Sequence, residues 1–128
     1  MDAAQALGEL MELSSQITAA VVLGADGAVV AASADGTAAS GLAAATQELV
    51  GAAADLGAGG PEVTRVEVEL DNGAVFVVRE GDHTIGAITG PNPTSGLVVY
   101  DLRTCAQAIT PAEPKRRRAR KPKDESSA

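Results

Sequence analysis

The chain has 128 residues, 45% of them hydrophobic, which suits one domain and a short further segment. Its core must be built from Ala, Val and Leu, because Phe76 and Tyr100 are the only aromatics and Trp is absent. The net charge of −7 divides unevenly: residues 1–110 carry fourteen acids against three arginines, net −11, and residues 111–128 carry seven Lys or Arg against three acids, net +4. A single cysteine, Cys105, excludes an intramolecular disulfide and a cysteine zinc site. With no basic-plus-apolar leader and no run of about 18 apolar residues, a reduced cytoplasmic protein is expected.

In chain order, "DAAQALGELMELSSQIT" reads as an amphipathic helix, with Leu7, Leu10, Met11, Ser14 and Ile17 at three- and four-residue steps. "AAVVLGADGAVVAAS" then changes period. Two β-favouring runs flank Asp26-Gly27, a pair suited to the positive φ angles of a tight turn. Both runs are apolar on both faces, so the hairpin is expected to be covered on both sides. "TAASGLAAATQELVGAAADLG" predicts a long helix with Leu42, Leu49 and Leu56 in heptad steps and Gly57 as its stop. Its girth is small almost all round, which allows another backbone to approach closely.

"EVTRVEVEL" alternates, with Thr64, Val66, Val68 and Leu70 on one face and Arg65, Glu67 and Glu69 on the other. Asp71-Asn72-Gly73 marks a turn, "AVFVV" a central strand, Gly81-Asp82 another turn, and "HTIGAIT" a third strand. "LVVYDLRTCAQAI" is a helix with Val98, Leu102, Cys105 or Ala106, and Ile109 on one side, ended by Pro111 and Pro114. The order α-β-β-α-β-β-β-α, joined mainly by hairpins, argues an α+β sandwich: a five-stranded antiparallel sheet with helices on both faces.

Enzyme templates fail for lack of parts. His83 is the only histidine and follows a Gly-Asp turn, so it reads as a strand-start residue rather than a base or ligand. Gly-x-Ser-x-Gly is absent, and no lysine precedes Lys115 to serve a phosphate loop. "GAGG" at 57–60 follows a helix and reads as a linker, not a dinucleotide loop. Glu67 and Glu69 read as solvated charges and Cys105 as a buried small hydrophobe. No catalytic, cofactor-binding or metal-binding residues, no cofactor and no small-molecule substrate are therefore expected.

Surfaces remain. The alternating strand at 62–70 sits at a sheet edge that must be protected or paired, and the small-residue helix is a second sticky surface. Joining two copies across both, about a two-fold axis, would bury them together. The alternative is that Arg65, Glu67 and Glu69 simply guard a monomer's edge.

The hairpin "AAVVLGADGAVVAAS", the helix "LAAATQELVGAAADLG", "DNGAVFVV" and the closing "PTSGLVVYDLR" together resemble the Roadblock/LC7 domain family, closest to its single-domain bacterial, MglB-like type associated with Ras-like small GTPases. The resemblance covers about residues 3–110. It implies a profilin-like α/β/α sandwich and a homodimer joined across the third strand and second helix into a ten-stranded sheet. It also implies a non-enzymatic adaptor or scaffold that binds a Ras-like small GTPase and modulates its nucleotide cycle, some members accelerating hydrolysis through the GTPase's own groups. Matched by segment, the implied dimer surface is Leu42, Ala45, Leu49 and Ala52 with Arg65, Glu67 and Glu69. The implied GTPase-facing residues are Gln47, Glu48 and Asp55.

The basic segment "PKRRRARKPK" departs from that pattern and is expected to be disordered. It suits anionic lipid or the phosphates of nucleic acid, with the domain as a dimerising handle. It equally suits a solvated tail, or a tail drawn to the chain's own acidic body.

Overall fold

Helix formation begins with Asp2, whose Oδ1 accepts a 2.8 Å hydrogen bond from the Gln5 N–H while the Gln5 side chain accepts from the Asp2 N–H. This capping box opens α1 (Ala3–Leu13), which buries Ala6, Leu7 and Leu10. The helix is shorter than its apolar stripe predicted. Ser14 turns extended, its N–H bonded to Leu10 O, and Ile17 is the first residue of β1 (Ile17–Leu23). β-branched Ile17 pairs with Thr89 of the last strand, and Thr18, at a register shift, donates its hydroxyl to Ile88 O, so the helical period ends there.

A five-residue turn from Gly24 leads to β2 (Val29–Ala32), with Gly27 at φ 84° and the Asp26 carboxylate accepting the Ala28 N–H at 3.0 Å. Then follow α2 (Gly36–Leu56), β3 (Arg65–Leu70), β4 (Gly73–Glu80), β5 (His83–Thr89) and α3 (Ser95–Ala108), in the predicted order. The computed structural model describes residues 1–33, 36–56 and 64–109. The expected linker at 57–60, the helix stop at Gly57 and the basic tail at 111–128 all lie outside the described residues.

All strand pairs are antiparallel, in the order β2-β1-β5-β4-β3. Helices α1 and α3 pack on one face, with Leu7, Leu10, Val98 and Leu102 against Phe76, Val78 and Ile85. Helix α2 covers the other face, where Leu42 and Ala43 meet Val21 and Leu23. This is an α+β sandwich with a five-stranded antiparallel sheet.

A close approach sets the seat of α2. A Cβ at Gly86, in the middle of β5, would overlap the buried Thr46 side chain, so helix and sheet meet where the strand has no side chain. The Thr46 hydroxyl donates to Leu42 O at 2.8 Å and so is satisfied without water. The buried line of α2 is therefore Leu42, Ala43, Thr46 and Ala53, not the heptad: Leu49 is half-buried and Leu56 is 88% exposed.

The first hairpin also differs from expectation. β1 is buried, but β2 is the sheet's edge and largely open, with Val29 47% and Val30 51% exposed. An apolar run with no neighbour on one side lacks the second cover that a central strand receives.

Candidate functional site

Residues directly opposite in an antiparallel pair share a face. In β3, Arg65, Glu67 and Glu69 oppose Val78, Phe76 and Ala74, which belong to the α1/α3 core, so these three charged residues stand on the α3 side. Glu67 accepts a 2.7 Å hydrogen bond from the Ser95 hydroxyl at the start of α3. Val66 and Val68, half-buried opposite Val77 and Val75, stand on the α2 side.

The setting of α2 follows from about 100° of rotation per residue. With Thr46 over the sheet, Gln47 projects to one flank, where its Nε2 donates to Gly27 O at 2.7 Å and ties that flank to the β1–β2 turn. The opposite flank carries Ala45, Leu49, Ala52 and Leu56 and so lies toward β4 and β3. Ala52 and Leu56 are exposed, Ala45 and Leu49 half-buried. Leu49 and Leu56 on that flank, and Val66, Val68 and the exposed Leu70 on the α2 face of β3, leave apolar side chains only partly covered on the sheet's β3 side.

The structure therefore brings together Ala45, Leu49 and Ala52 of the sequence-expected dimer surface. Leu42 is only 4% exposed and packs into the chain's own core with Val21 and Leu23, leaving little of it for a partner. Arg65, Glu67 and Glu69 lie along the same edge but on the other face. Of the expected GTPase-facing residues, Glu48 and Asp55 lie seven apart on the outer ridge of α2, both exposed, while Gln47 is turned away into its turn contact. Val66 and Val68 join these side chains without having been expected there, although the alternation of that strand already placed them on one face.

His83 pairs with Glu80 across the two-residue turn Gly81-Asp82, where Gly81 has φ 60°. It is half-buried and begins β5. Cys105 is buried on α3, and its thiol is pushed up to about 11, first by burial and then by the nearby Glu9 charge. Glu80 forms a 2.9 Å ion pair with Arg103. Among the described residues no three or more of His, Cys, Asp and Glu converge to hold a metal, and no helix is long and apolar enough to cross a membrane.

A five-stranded antiparallel sheet between one helix and two defines a profilin-like protein. The Roadblock/LC7 domain model matches residues 4–89, most of the folded part, and the chain belongs to that family. Solved structures agree at low identity. A Roadblock/LC7 domain from Streptomyces avermitilis is 23% identical, with a TM-score of 0.72 over 84% of this chain and 94% of that one. The gliding protein MglB from Thermus thermophilus is 15% identical, with a TM-score of 0.68 over 84% of both chains. MglB from Myxococcus xanthus is 14% identical, with a TM-score of 0.63 over 82% of this chain and 85% of that one. Comparison with curated proteins finds no match.

Proposed function

We propose that this chain is a homodimeric Roadblock-type adaptor that binds a Ras-like small GTPase and modulates its nucleotide cycle, without catalytic groups of its own. The observation that carries the reading is the partly covered apolar side chains of α2 and β3 beside a strand edge that has no partner strand among the described residues. An open edge leaves a row of backbone donors and acceptors unpaired, and apolar side chains beside it add a hydrophobic drive for association. Pairing β3 with β3 of a second copy about a two-fold axis satisfies both at once and makes a ten-stranded sheet.

In such a dimer the two α2 helices lie side by side, and their Glu48–Asp55 ridges form an acidic outer face. That face is where the GTPase docks, and it acts by positioning the nucleotide-binding loops of its partner. Family membership and the likeness to the MglB structures support this reading.

The test is a pull-down from native cytoplasm with a GTP analogue, with GDP and with nuclease. Enrichment of a small GTPase in one nucleotide state is expected. Recovery of nucleic-acid-associated proteins alone, lost on nuclease treatment, would overturn it. That outcome belongs to a second reading, which the +4 charge of residues 111–128 favours: binding of nucleic acid or an anionic membrane through the tail, with the domain as dimerising scaffold.

A further inference from the structure

A groove of about 510 Å³ opens where α3 ends. Its apolar floor is Ala25 and Val30 of the first hairpin with Ala106 and Ile109 at the end of α3, and its rim includes Asp82 and His83. It borders a second hollow that shares Asp82 and adds Asp26. Glu80, also on the rim, is held by Arg103, whereas neither Asp26 nor Asp82 forms an ion pair among the described residues. The groove thus joins an apolar floor, which includes a half-exposed edge valine, to Asp82 and, across the adjoining hollow that Arg79 also lines, to Asp26, neither carboxylate being ion-paired among the described residues.

We propose that this groove is the seat of the chain's own basic segment: residues 110–114 lie along the floor, and the basic run of 115–123 rests against Asp82 and Asp26. Four observations support this occupant. The last described residue, Ile109, itself lines the groove, so the chain leaves the domain inside it. The next five residues are Thr-Pro-Ala-Glu-Pro, two of them prolines and one an acid, and five residues reach about 15–17 Å at full extension. That length delivers Lys115 to the rim without a long loop to close.

Charge is complementary, since 111–128 carry net +4 and 1–110 net −11. One rival acidic group, Glu67, Glu69 and Asp71, lies by the start of α3, where Ser95 touches Glu67. The helix's 14 residues place it about 21 Å from the chain's exit. Tethering supplies an effective concentration in the millimolar range, so contacts too weak to hold a free peptide suffice here. The seat also covers Val30 and the open end of β2, and it does not depend on the GTPase reading.

The experiment attaches a nitroxide to the full chain through Ala119→Cys, with Cys105 left in place because its buried thiol resists labelling. Amide signals are then read in ¹⁵N-labelled protein diluted into an excess of unlabelled, unmodified protein, so that only contacts within one chain report. Line broadening is expected at residues 25–30 and 81–83, with Asp26→Asn/Asp82→Asn reducing it about threefold or more, and about 1 M salt, where the Debye length is about 3 Å, abolishing it.

Broadening centred on residues 67–71, or none above that of the salt-released chain, would overturn the proposal. So would broadening at 25–30 and 81–83 that vanishes on dilution, because the occupant would then be a second copy's tail. The double variant's thermal midpoint, unchanged from the parent, separates loss of the contact from loss of the fold.

Discussion

The two edges of the sheet make opposite use of the same composition. At one edge, β3 offers six residues in regular register with β4, charges on the α3 face and half-buried valines on the α2 face. Beside it runs the apolar flank of α2. At the other edge, β2 has four residues, two exposed valines, no charged side chain and a register shift between Val22 and Leu23 on its partner strand. Short length and a bulge blunt an edge as effectively as charge does, because the ladder cannot be extended in register. An apolar edge strand is therefore not by itself a docking strand. What distinguishes β3 is a straight ladder with a second apolar element alongside it.

The largest expected effect falls on the seat that fixes both edges. Gly86→Val drives two methyl groups into Thr46 and should lift α2 from the sheet, costing about 3 kcal/mol by denaturant midpoint. A stable Gly86→Val protein with α2 in place would contradict this explanation of how the helix is set. Next, Leu49→Arg places a charge on the apolar flank of α2 and should convert dimer to monomer by light scattering, weakening association by about 2 kcal/mol or more. An unchanged dimer would move the interface away from that flank while leaving the fold intact.

Smaller effects belong to the β2 side. Cys105 has its thiol raised in the fold from 9.0 to about 11, so the unfolded chain ionises first. Its contribution is fully present below pH 9 and should be lost as pH rises through about 11, read as a falling thermal midpoint that Cys105→Ser flattens. Arg103→Gln removes a partly exposed ion pair at the same end and should cost about 0.5 kcal/mol, diminishing with salt. Val29→Arg, at the blunt edge, should leave the dimer intact and shift stability by about 0.5 kcal/mol or less. Dissociation by Val29→Arg as complete as by Leu49→Arg would erase the difference between the edges.

Much of the architecture is legible in the residues. Alternation marks β3, the Asp26-Gly27 and Gly81-Asp82 pairs mark turns whose glycines have positive φ, and His83 starts a strand as its position after a turn implies. The rotation of α2 is not legible. Its girth is nearly uniform in Ala, so the heptad Leu42, Leu49, Leu56 carries the visible asymmetry, and of that line the structure fully buries Leu42 alone. The end of α1 is hidden for another reason: Ser14 and Ile17 fit a helical stripe as well as they fit a cap and a strand.

Element order, turns and the contrast between an acidic body and a basic segment follow from the residues alone, because each rests on local chemistry: period, φ preference and charge. Which residues face which neighbour was settled only by packing in three dimensions. That Thr46 meets Gly86, that Leu42 belongs to the core, and that Val66 and Val68 rather than Glu67 and Glu69 stand on the α2 face all depend on the close approach of elements distant in sequence within a core of small side chains. In such a core the place where a side chain is missing directs the packing, and no local pattern records it.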